Sequence, residues 1–237
     1  MLNYPNDPKF FSDLMLQRTN VLAASIGPSA LTEWLQTGST LAIEAAFSDE
    51  RKRNEAIMAL ESDYMSDVRQ IIQLFGDQAA SSLVSIGPGN AVIETLLARE
   101  LSGIKKVTLI DIEKTESHYH GFARKGSGYA CLQASKRFMA ENGVSAEMIS
   151  VCNPLKTSIP NEPFDMLISI LSMCFHYPCD DYVDYIMGFC KPEGTLIVDS
   201  RRLVPDPGLV YLLSNGFRET GAIDFPKFRR LAIRREY

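Results

Sequence analysis

The sequence predicts an α/β architecture: a doubly wound, mostly parallel seven-stranded sheet with an antiparallel last strand, preceded by an N-terminal helical extension. Three observations carry this prediction. Short β-type runs alternate with helical runs after Ala80, the arrangement of parallel βαβ units. The last two β-type runs are separated only by Asp224-Phe-Pro-Lys227, too short for a helical crossover, so they should pair antiparallel. The front third shows helical periodicity alone. The division expected is 1–78 as helical cap and 79–237 as the ligand-binding domain.

Pro5 and Pro8 mark the opening residues as an extended arm. From about Phe10 to Phe47 short helices are broken at Gly27-Pro28 and Gly38-Ser39, and a longer helix runs from about Asp49 to Phe75. Its apolar residues, among them Tyr64, Val68, Ile71 and Phe75, recur at three- and four-residue steps, and Gly76 supplies a stop. Ser82–Ile86 is the first strand, followed by Gly87-Pro-Gly and a helix over about Asn90–Leu101. Lys106–Ile110 is the second strand, and a glycine-spotted loop then leads to a helix over about Tyr129–Asn142. Met148–Cys152 and Asp165–Ile170 are the third and fourth strands. A helix over Asp180–Cys190 closes at Lys191-Pro-Glu-Gly194, before a fifth strand at Thr195–Val198. The closing hairpin uses about Arg218–Ile223 and Phe228–Ile233.

At 237 residues, 46% of them hydrophobic, the chain can bury a full globular core. A net charge of -5 argues against a nucleic-acid partner. The basic residues near the end (Arg229, Arg230, Arg234, Arg235) alternate with apolar ones and read as a solvated strand face. Five cysteines without a CxxC pair fit reduced thiols better than a disulfide framework or a zinc site. No basic segment followed by an apolar run opens the chain, and no apolar run approaches the ~18 residues that span a bilayer. A soluble, cytoplasmic protein is expected, with no membrane partner and no metal.

A strand running into Gly87-Pro88-Gly89-Asn90 and then a helix lets backbone approach a ligand closely, with free N–H groups at the helix start. Taken alone the pattern is weak, because ordinary turns produce it. Asp111 adds to it: 24 residues past Gly87, at the end of the next strand, its carboxylate is placed to accept hydrogen bonds from both ribose hydroxyls of an adenosine. A nicotinamide dinucleotide site needs a third small residue in the fingerprint, where Val92 stands.

Lys191-Pro-Glu-Gly-Thr-Leu-Ile-Val resembles the segment before strand five of class I methyltransferases, and Asn215-Gly-Phe with its hairpin resembles their reversed seventh strand. This resemblance to the Rossmann-like S-adenosylmethionine-dependent methyltransferases covers roughly two-thirds of the chain. It departs at Ala91, where many members carry a third glycine. It implies S-adenosylmethionine as cofactor, held by Gly87, Pro88, Gly89, Asn90, Asp111, Ile112, Asn153 and Ser169.

Ligands in open α/β sheets bind beyond the carboxyl ends of the strands, so Leu171–Pro178, after strand four, should face the reacting methyl group. His176 is the candidate base, its alternative being a histidine packed beneath the cofactor. Ser172 and Tyr177 are candidates to orient substrate, with His118, His120 and Tyr129 of the long loop after strand two. The segments Asp111–Glu116, His120–Tyr129 and Ser172–Pro178 resemble a sugar O-methyltransferase branch. That likeness implies a small polar acceptor methylated at a hydroxyl. The alternatives are a non-catalytic or regulatory protein of the same fold and an RNA or protein methyltransferase.

Overall fold

The computed structural model describes residues 2–113, 122–123, 128 and 130–236. Its front helices are α1 (Pro8–Gln17), α2 (Thr19–Ile26), α3 (Ser29–Thr37), α4 (Leu41–Ala46) and α5 (Glu50–Phe75). Local chemistry sets their ends. Asp7 caps α1, accepting from the Lys9 N–H at 2.9 Å, and Pro8 supplies a preset φ at the first helical position. Asp49 caps α5 through the Lys52 N–H at 3.1 Å, and Gly76, at φ +68°, lets the chain leave that helix.

The sheet has the order β3-β2-β1-β4-β6-β8-β7. Its strands are β1 (Ser82–Ile86), β2 (Lys106–Ile110), β3 (Ile149–Cys152), β4 (Phe164–Ser169), β6 (Cys190–Arg201), β7 (Phe217–Asp224) and β8 (Phe228–Arg235). The first four and β6 are mutually parallel, while β8 runs antiparallel to both β6 and β7. Every residue of β1 is buried, as a central strand covered on both faces requires. The covering helices are α6 (Val92–Glu100), α7 (Leu132–Glu141), α8 (Val183–Phe189) and α9 (Pro207–Ser214). One continuous apolar cluster runs from Leu14, Trp34 and Leu60 of the front helices to Leu83, Ile168 and Ile197 of the sheet. The front helices therefore bury their apolar faces on the sheet layer.

Three local expectations are corrected. Lys191–Gly194 does not precede a strand but lies inside the 12-residue β6, where the pairing with β4 jumps from Phe164↔Cys190 to Met166↔Thr195. Ser172–Tyr177, given no element of its own after strand four, forms a further strand, β5, against β6 and outside the seven paired strands. Arg230, assigned to a solvated face, is fully buried, because β8 is an inner strand with α5 packed near it. No described helix is long and apolar enough to cross a membrane.

Candidate functional site

The chain leaves β1 toward β2 on one side and returns to β4 on the other, so the carboxyl ends of β1 and β4 diverge and open a crevice. A cavity of about 360 Å³ lies there. Of the predicted residues, Gly87, Pro88, Gly89, Asp111, Ile112, Ser172, His176 and Tyr177 line it. Asn90, Asn153 and Ser169 do not. His118, His120 and Tyr129 lie outside the described residues.

The glycine turn has a different local reason from the one expected. Gly87 and Gly89 take φ of +70° and +56°, which side chains disfavour. A Cβ on Gly87 would stand 1.8 Å from Ser172 Oγ, and one on Gly89 would stand 2.4 Å from the Gln17 side chain. The space glycine leaves is thus filled by β5 and by α1, and the turn offers its backbone edge to the cavity. Asn90 secures the α1 contact: its Nδ2 donates to Phe10 O at 3.1 Å, its N–H donates to Gln17 Oε1 at 3.2 Å, and its Oδ1 accepts from Gln17 Nε2. Ser169 bridges two strand ends, donating to Ile86 O at 2.8 Å and accepting from Met173 N–H at 2.9 Å. Asn153 donates to Ile112 O and Glu113 Oε2 at 3.1 and 2.9 Å, and so fixes the backbone after Asp111.

Asp111 is half-buried at the cavity wall, and its carboxylate accepts the Glu113 N–H at 3.0 Å. Burial outweighs this bond and the favourable backbone N–H groups around it, and pushes the carboxyl up to about 6. Across the turn, Glu94 of α6 accepts from Ser85 Oγ at 2.5 Å through one oxygen. Its other oxygen has no hydrogen-bond partner among the described residues, and burial pushes the carboxyl up to about 7. Ser172 Oγ and Tyr177 Oη lie 3.1 Å apart; burial holds the Tyr177 hydroxyl well above its ordinary value.

Helices α1, α2 and α5 also contribute to the cavity wall, through residues that local patterning does not mark. Gln17, Arg18, Asn20 and Tyr64 line the cavity together with the strand-end residues, and Glu94, Arg201 and Lys227 join them. The Arg18 guanidinium lies 4.2 Å above the Tyr64 ring and pairs with Asp63 (3.3 Å) and Asp67 (2.6 Å). Asp67 in turn pairs with Arg230 at 2.7 Å, and Arg230 donates to both oxygens of Asp199 at 2.8 and 2.9 Å. Asp199 Oδ2 then accepts the Leu171 N–H at 3.1 Å. This buried chain of charges joins Arg18 on one wall to Leu171 on the other. Arg201 lies 4.6 Å from the centroid of the Phe175 ring and donates to Phe175 O at 2.5 Å, holding β5 beside His176. Nothing in local patterning marks Arg18 or Glu94, each an ordinary charged residue in a helical segment.

No family model and no curated protein matches the chain. Solved structures do resemble it. A ribosomal protein L11 methylase from Lactobacillus delbrueckii subsp. bulgaricus is 17% identical, with 73% of this chain and 77% of that one covered at a TM-score of 0.50. A mutant of MtNAS is 13% identical, with 94% and 71% covered and a TM-score of 0.51. The cyclase SpnF is 14% identical, with 72% and 80% covered and a TM-score of 0.50. Likeness at these identities speaks to architecture, and with the observed strand order it gives this chain the Rossmann-like α/β fold of the methyltransferases.

Proposed function

We propose that the protein is an S-adenosylmethionine-dependent methyltransferase acting on a small polar molecule at a hydroxyl, with a sugar as the leading acceptor class. One observation carries the reading: the Gly87–Gly89 backbone and the half-buried Asp111 carboxylate line the same cavity at the switch point of the sheet. Its volume of about 360 Å³ falls in the ~300–1,000 Å³ range of small-molecule sites. When bound, S-adenosylmethionine supplies a methyl group on a positively charged sulfur. Asp111 keeps lone pairs beyond its bond from the Glu113 N–H to accept ribose hydroxyls, and the backbone of Gly87 and Gly89 forms the adjoining wall. Gln17, Arg18 and Tyr64 line the same cavity and add polar groups that suit a small polar acceptor.

His176 sits on the cavity wall, its ring edge-on to Phe175 at 4.8 Å, and serves as the base for the acceptor hydroxyl. Ser172 and Tyr177 orient that acceptor, with His118, His120 and Tyr129 completing the acceptor side. Residues 1–78 form the cap and 79–237 the donor-binding unit.

Calorimetry with S-adenosylmethionine and S-adenosylhomocysteine tests the donor site, and saturable binding with one site per chain is expected. Absence of heat at high micromolar ligand would end the reading. Release of S-adenosylhomocysteine with a panel of sugars then tests transfer, because the same fold also occurs in a cyclase.

A further inference from the structure

Behind β5, two thiols and a carboxylate converge from separate stretches of chain. Cys174 lies within β5, Cys179 follows that strand, and Asp206 is the N-cap of α9. All three are buried, and their ligand-type atoms lie within 4.8 Å of one another. Cys179 Sγ donates to Asp206 Oδ1 at 3.1 Å. Two donors on one zinc ion at about 2.3 Å each are no more than about 4.6 Å apart, so slight side-chain rotation brings this trio to coordination distance.

Gly208 brings α9 tightly onto this group: a Cβ there would stand 2.6 Å from Cys179 Sγ and 2.9 Å from both Asp180 Oδ1 and Val183 Cγ2. Glycine is what lets the helix start approach the thiol.

We propose that Cys174, Cys179 and Asp206 bind a thiophilic divalent metal ion of the zinc class as two thiolates and a carboxylate, with the remaining position toward Asp180. Soft sulfur ligands select zinc over magnesium or calcium. A thiol of ordinary acidity is protonated at neutral pH. Binding forms two metal–sulfur bonds and releases two protons to solvent. Three ligand charges against a doubly charged ion leave one net negative charge, placed at the N-terminus of α9, where the Leu209 N–H already donates to Asp206 Oδ1 at 2.9 Å. The ion would tie α9 to the strand that carries Phe175, His176 and Tyr177 into the cavity wall. This is a structural role, independent of the methyl-transfer reading.

The test is titration of the reduced, metal-stripped full chain with Co²⁺. A thiolate-to-cobalt charge-transfer band that saturates at one equivalent and is discharged by zinc is expected. Affinity should fall by up to about a hundredfold per pH unit, as two protons compete for each ion. Cys179→Ser should weaken binding at least tenfold and diminish the band. Asp206→Asn keeps a competent helix cap, because Asn caps as well as Asp, and should stay folded while also binding at least tenfold more weakly. The proposal is overturned if the folded wild type shows no band, or if the band survives unchanged in both variants, which would place the metal on another cysteine such as Cys131. Recovery of a Cys174–Cys179 disulfide in a chain that takes up no metal after reduction would overturn it equally.

Discussion

Replacing Gly87 by alanine probes the turn on which the site is built, and the structure sets the size of the effect. Two penalties combine. At φ +70° an alanine bears the left-handed strain of about 1–2 kcal/mol. Its Cβ would also stand 1.8 Å from Ser172 Oγ and 2.7 Å from Ser172 Cβ, so Ser172 must move and its contact with Tyr177 is disturbed. Overpacking of this kind costs about 1–3 kcal/mol. A loss of about 2–5 kcal/mol in urea unfolding is therefore expected. The two parts separate in a double-mutant cycle with Ser172→Gly, which removes both atoms that the new Cβ meets. In that background Gly87→Ala should cost only the strain, giving a coupling of about 1–3 kcal/mol between the sites. If Gly87→Ala is neutral within about 0.5 kcal/mol, or Ser172→Gly gives no rescue, the close approach of β5 to the turn is not the reason for glycine here.

Three further outcomes are expected. Arg230→Met removes the shared partner of two buried carboxylates, Asp199 and Asp67, and should cost about 3–5 kcal/mol in urea unfolding; a neutral result would refute the buried network. For Asp165, burial works to raise the carboxyl, but Lys191 and the Ser81 and Ser82 donors outweigh it and hold it well below the usual carboxylate range. The stability it contributes is complete above its unfolded value near 3.8 and lost as pH falls through the lower folded value, so the wild type should lose more stability than Asp165→Asn between pH 4 and the acid limit, with equal acid sensitivity refuting the assignment. His176→Ala should lower turnover at least tenfold and flatten its acid limb, leaving donor affinity within about twofold; full turnover with an unaltered pH profile would remove the base role.

Much of the sheet was legible because strand and helix periodicities are local. Ser82–Ile86 and Lys106–Ile110 are uninterrupted apolar-rich runs bounded by turn residues, and both strands begin and end where those runs do. The hairpin followed from chain length alone: four residues cannot cross a sheet. Lys191–Gly194 misled because proline and glycine there read as a turn before a strand, while β6 absorbs them as a bulge opposite β4. β5 escaped because no glycine or proline separates Ser172–Tyr177 from the end of β4, so the run does not announce a new strand; β6 and Arg201 hold it in place.

The sequence by itself determined where backbone turns sharply and which faces are apolar, since glycine, proline and hydrophobic spacing act over a few residues. Only the tertiary structure decided which distant side chains meet. Arg230 reads as one more exposed basic residue until Asp67, 163 positions away, is brought beside it. Cys174 and Cys179 form a single C-x4-C pair in the sequence, and only folding brings Asp206, 27 residues on, against Cys179. Charges and thiols carry little local signal; their partners are chosen by packing of the whole chain, so buried ion networks and ligand clusters become visible only after the fold is formed.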